Sequence, residues 1–82
     1  MKTENLNKSV SVYIGDDEYV GFTLESFKKF KSAYENAMHS IKANDLDIND
    51  YAITSEQGHT IILSYAKSVI QYLEMNFKRE VV

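Results

Sequence analysis

The sequence predicts an α+β domain, a two-layer sandwich in which one antiparallel sheet carries two amphipathic helices on one face, in the element order ββαββα. Three observations point there. From Phe22 to Ala43 the apolar residues Leu24, Phe27, Phe30, Ala33, Tyr34, Ala37, Met38 and Ile41 recur at three- and four-residue steps, the stripe of a helix. From Ser9 to Ile14, the residues Val10, Val12 and Ile14 alternate with Ser9, Ser11 and Tyr13, the period of a half-buried strand. Near the end a second helical stripe runs through Ala66, Val69, Ile70, Leu73 and Phe77.

Taken in order, residues 1–8 (MKTENLNK) are polar and are expected to fray, leaving residues 9–82 as a single domain. Ser9–Ile14 is the first strand. Gly15-Asp16-Asp17-Glu18 are turn formers, and Tyr19–Phe22 is a second strand with Val20 and Phe22 facing inward. Thr23 stands where a hydroxyl caps the first helix, and Phe22 and Phe27 occupy the two positions of a hydrophobic staple. Asn44, just past Lys42, is the expected left-handed terminator. Tyr51–Thr54 and His59–Leu63 read as two more strands around the turn Ser55-Glu56-Gln57-Gly58. Ser64 then caps a second helix over Tyr65–Arg79, in which Glu74 and Lys78 form an i,i+4 pair. The rival arrangement is an N-terminal hairpin plus two long helices, the second running unbroken from Glu56 to Arg79. The β-prone Thr60–Leu63 and the cost of Gly58 inside a helix favour the strand.

Composition excludes more than it assigns. With 82 residues and no cysteine, the chain has neither a disulfide framework nor a thiolate nucleophile or metal site, which favours a reducing cytoplasm. No segment approaches the roughly 20 apolar residues of a membrane span. Lysine outnumbers arginine eight to one and Asn and Ile are frequent, the bias of AT-rich coding in a low-GC bacterium or its phage. His39 and His59 have no partners at catalytic spacing and are expected on the solvated surface; no nucleophile elbow, phosphate loop or dinucleotide fingerprint is present. The reading is therefore a non-enzyme without a metal or cofactor.

Three surfaces remain. Asp45-x-Asp47-x-Asn49 with Glu56 matches positions 1, 3, 5 and 12 of a calcium-binding helix-loop-helix, but Asp50 stands where that loop requires glycine. Lys28, Lys31 and Lys42 share one flank of the first helix and could meet a few phosphates of a nucleic acid. The net charge of −3 and the single arginine, Arg79, count against that. The third surface is aromatic. Six tyrosines suit protein contact, since tyrosine offers large area for little lost entropy. Tyr65 and Tyr72 share a shoulder of the second helix with Asn76, with Met75 on its polar side, while Tyr13 and Tyr19 are expected to be neighbours on the hairpin. A half-apolar sheet face and open sheet edges invite pairing of two copies. The function expected is a small protein-binding module, homodimeric and cytoplasmic, of the regulator or inhibitor kind carried by a phage or mobile element.

Overall fold

The computed structural model describes residues 9–15 and 17–81, with side chains through residue 77. Strand β1 (Val10–Gly15) pairs antiparallel with β2 (Glu18–Phe22), and helix α1 (Leu24–Asn44) follows at once. A 3-10 turn (Ile48–Asp50) leads to β3 (Ala52–Thr54), antiparallel to β4 (Thr60–Ile62), and helix α2 (Leu63–Val81) ends the chain. The order ββαββα is the one the sequence predicts, and the strand at Thr60–Ile62 removes the unbroken second helix. The fraying expected of residues 1–8 lies outside the described residues.

The predicted core faces are buried. Val10 and Val12 of β1, Val20 and Phe22 of β2, and Ala66, Val69, Ile70, Leu73 and Phe77 of α2 form one cluster with Phe27, Phe30 and Ile61. Aromatic rings tie its elements together: Phe22 lies 5.3 Å from Phe30, and Phe27 stacks at 5.5 Å on Phe77 between the two helices.

The ends of the helices differ from expectation in instructive ways. Thr23 does cap α1, and does so within a capping box: Ser26 N–H donates to Thr23 Oγ1 (3.2 Å) and Thr23 N–H to Ser26 Oγ (2.9 Å). Serine here takes the role usual for Glu or Gln. The left-handed terminator is Asp45 (φ 54°), one residue beyond the expected Asn44, whose side chain instead donates to the Ser40 carbonyl at 3.0 Å. Leu46 N–H returns to the Ile41 carbonyl at 2.9 Å, the wide loop of a Schellman motif. Helix α2 starts at Leu63, directly from β4, so Ser64 is inside its first turn and not its cap. Leu63 N–H donates to the Tyr51 carbonyl at 2.9 Å, so the β3–β4 ladder satisfies an amide that a cap would otherwise serve.

One expectation fails outright. The four strands do not form one sheet; they form two separate hairpins, β1–β2 and β3–β4. The cause is visible at the strand edges. Gln57, at the tip of the second hairpin, donates its amide to the Gly21 carbonyl on the outer edge of β2 at 2.7 Å. Two residues on, His59 stands 4.0 Å from Glu18, and Tyr65 donates its hydroxyl to the Tyr13 carbonyl of β1. Along residues 57–65 the chain thus passes from the β2 edge of the first hairpin to its β1 edge. It crosses that hairpin and does not extend its ladder. One side-chain bond thus meets each strand of the first hairpin, at Gly21 of β2 and at Tyr13 of β1.

Within the second hairpin the turn is as predicted. Gly58 N–H donates to the Ser55 carbonyl at 2.9 Å, and Gly58 sits at φ +92°, a conformation that only glycine takes cheaply. No helix of the described residues is long and apolar enough to cross a membrane.

Candidate functional site: a tyrosine groove

Along β1 and β2 the inward valines leave Ser11, Tyr13 and Tyr19 on the outer face, and the register sets Tyr13 directly opposite Tyr19. Their rings meet edge to face at 5.3 Å and 62°, as the sequence anticipates. On α2, Tyr65 and Tyr72 are seven residues apart and so share a line along the helix, with Ser68 between them. The bond from Tyr65 to Tyr13 brings that line against the hairpin. The result is an open depression of about 400 Å³ lined by Tyr13, Tyr19, Tyr65 and Tyr72, together with Ser11, Ser68 and the margins of Val12 and Val69. A second depression of about 420 Å³ continues past Tyr13 and Tyr65 toward Ile14, Gly15 and Thr60–Ile62. The two are neighbours that share Tyr13 and Tyr65, and the tyrosine groove is the first of them.

Two of the four rings are held by their hydroxyls. Tyr65 donates to the Tyr13 carbonyl at 2.5 Å, and the Tyr13 hydroxyl accepts from the Asp17 N–H at 3.4 Å. All four tyrosines remain open to solvent, from 39 % for Tyr65 to 65 % for Tyr19. Among the described residues no charged side chain lines the first depression.

Of the residues singled out by sequence, Tyr65 and Tyr72 line this groove, whereas Met75 and Asn76 do not. Met75 is exposed outside it, and Asn76 turns its amide back to the Tyr72 carbonyl at 2.8 Å. Periodicity alone does not join Tyr13 and Tyr19 to Tyr65 and Tyr72, because the joining contact spans 52 residues.

The lysine flank is divided. Lys31 pairs with Glu74 of α2 at 2.5 Å; the expected Glu74–Lys78 pair lies outside the described residues. The adjacent Lys29 pairs with Glu56 at 2.8 Å. The hydrogen bond each ammonium donates to its partner carboxylate, followed by that carboxylate's charge, raises the pKa of both lysines above the usual value. Lys28 and Lys42 are exposed, but with Lys31 committed the flank does not offer three cations to a phosphate backbone.

The acidic connection is not a loop between two helices. Asp45 ends α1, and Asp47 caps the 3-10 turn by accepting from the Asn49 N–H at 2.9 Å. Ala52–Thr54 pair in a strand, and Glu56 faces Lys29. Among the described residues no three carboxylate or imidazole groups gather where they could hold a metal ion. His39 is exposed as expected. His59 is not: it is half-buried between the hairpins, its Nε2 is 4.0 Å from Glu18, and its Nδ1 is buried without a partner among the described residues. The tight turn, in which Ser55 N–H donates to the His59 carbonyl at 2.8 Å, draws the ring inward.

The chain matches no protein-family model, no curated protein and no solved structure.

Proposed function

We propose that this domain is a non-enzymatic protein-binding module, a regulator or inhibitor whose contact surface is the tyrosine groove. One observation carries the reading: tyrosines from β1, β2 and α2, with Tyr13 and Tyr65 52 residues apart in sequence, converge on one open groove that no charged side chain of the described residues lines. Exposed tyrosines of this kind are the anchors of protein contacts, rigid and apolar in the ring and polar at the hydroxyl. An open, shallow groove suits a segment of a partner, whereas small ligands are bound in enclosed clefts.

Pairing with a second copy is proposed at the neighbouring second depression, where Ile62 of β4 stands half exposed. An exposed isoleucine at the edge of a depression is a natural self-contact. Sedimentation equilibrium of wild type and Ile62→Glu tests it: a dimer lost in Ile62→Glu supports the placement, and a dimer lost only in groove variants places self-contact in the groove.

The test of the main reading is selection of binders from a random peptide library on the intact domain, followed by rebinding to Tyr65→Ala/Tyr72→Ala. Selected peptides that lose at least tenfold affinity for a folded double variant support the groove. Retained affinity, or failure to select any peptide, rules it out.

A further inference from the structure

We infer that His59 is a proton-operated latch, whose neutral ring seats the β3–β4 hairpin against β2 and whose protonated ring releases it. His59 lines neither depression, so the latch stands whatever the groove binds. The ring lies where the turn of the second hairpin meets the first. Gln57 reaches the Gly21 carbonyl at 2.7 Å, and His59 Nε2 stands 4.0 Å from a Glu18 carboxylate oxygen. The other ring nitrogen is enclosed: Nδ1 is buried and has no hydrogen-bond partner among the described residues. The buried hydroxyl of the same turn, on Ser55, already accepts from the His59 backbone N–H at 3.2 Å.

A neutral imidazole carries one proton, and here it belongs on Nε2, the side that faces Glu18. Nδ1 is then a bare acceptor, and no ring N–H is left enclosed. The imidazolium donates from both nitrogens, so protonation sets an N–H of a charged ring where nothing accepts it. Glu18 pulls the other way, but weakly. Its side chain is 59 % exposed, and an ion pair so placed contributes little, whereas a buried charged donor without an acceptor is costly. The remaining charges around the turn do not reverse that balance. Glu56 is held by Lys29 of α1 at 2.8 Å, Asp17 beside Glu18 is exposed, β1 carries no charged side chain, and the first turn of α2 has no acid. The seated hairpin therefore takes up fewer protons than the released one, and its seating weakens as pH falls through the imidazole range. Release carries Thr60–Ile62 with it, the wall of the second depression that faces Tyr13–Gly15 of β1. The tyrosine groove, built by β1, β2 and α2, is spared.

The experiment follows amide exchange and imidazole nitrogen signals of the intact domain from about pH 7.5 to about pH 5.5, where carboxylates stay ionised. The Ser55 N–H, bonded to the His59 carbonyl, and the Gly58 N–H, bonded to the Ser55 carbonyl, report the turn. Corrected for intrinsic rates, both should exchange about tenfold faster at the acid end, as the His59 ring gains its second proton. His59→Phe keeps a ring with no proton to gain and should hold exchange level, while His39→Gln should respond as wild type does. Glu18→Gln removes the opposing attraction and should steepen the response, which decides the matter if His59→Phe does not fold. Protection that stays level or rises toward acid in the wild type overturns the latch. So does an acid response that persists in His59→Phe, or one that Glu18→Gln weakens.

Discussion

Removing a single oxygen from Tyr65 separates what holds the fold from what holds the groove. In Tyr65→Phe the ring stays and the bond to the Tyr13 carbonyl goes. An intramolecular hydrogen bond contributes a net of roughly 0.5–1.5 kcal/mol. Tyr65 is 39 % exposed, so water can take over the freed carbonyl, and the lower half of that range applies, about 0.5–1 kcal/mol. For a chain of this size that corresponds to a drop in Tm of roughly 2–8 °C. Leu73→Ala provides the contrast. Leu73 is fully buried at 0 % exposure, and deleting its side chain costs about 3–5 kcal/mol, including the cavity. A domain of 82 residues has a total stability of roughly 4–12 kcal/mol, so Leu73→Ala should lose a large share of it, and unfold only if the total lies at the low end, while Tyr65→Phe stays native. Urea melts followed by far-UV circular dichroism give both values, and amide exchange along β1 in Tyr65→Phe reports whether the hairpin loosens. An unchanged Tm and unchanged exchange in Tyr65→Phe would refute the tether. A loss as large as that of Leu73→Ala would show that the hydroxyl is buried in the core and not at the rim of a groove.

Other consequences are local. Thr23→Ala removes one half of the capping box and should cost about 1 kcal/mol in urea melts; a loss below measurement error would mean the box is not formed in solution. Asp45→Gly relieves a left-handed residue at the end of α1 and should stabilise the domain by about 0.5–1 kcal/mol, whereas lowered stability would contradict the Schellman end. Gly58→Ala places a side chain at φ +92° and should destabilise by about 1–2 kcal/mol, with no gain at any temperature of a thermal melt. The raised pKa values of Lys29 and Lys31 set a sign for alkaline behaviour. Both pairs are intact below the ordinary lysine range and are lost as pH climbs through the raised folded values. Since these ammonium groups are exposed, the loss should be small and shrink with added salt; stability rising through that interval would contradict the pairs.

Much of the fold is legible because it is local. The valine alternation of β1, the stripe of α2 and the Phe22–Phe27 staple each follow from residues within a few positions of one another, and all are buried as their spacing dictates. The helix ends are less so, because Asn44 and Asp45 are both acceptable left-handed residues and only the Leu46–Ile41 bond decides between them. The arrangement of the hairpins is not legible at all. It depends on Gln57 reaching Gly21 and Tyr65 reaching Tyr13, bonds across 36 and 52 residues that no periodicity encodes. The groove was half legible for the same reason. Tyr65 with Tyr72, and Tyr13 with Tyr19, are pairs set by helix and strand geometry, but their union depends on the crossing of the hairpins. Lys31 makes the opposite case: helical spacing places it on a basic flank, and Glu74 from the neighbouring helix withdraws it.

The claim that matters most is that a partner seats in the tyrosine groove. Its most direct test takes a peptide selected on the intact domain without reference to any surface and follows the six tyrosine rings by NMR as it binds. The four groove rings, Tyr13, Tyr19, Tyr65 and Tyr72, should shift together, with Tyr34 and Tyr51 unmoved. Binding that leaves the groove rings still, or shifts Tyr51 or Tyr34 in their place, would put the contact surface elsewhere.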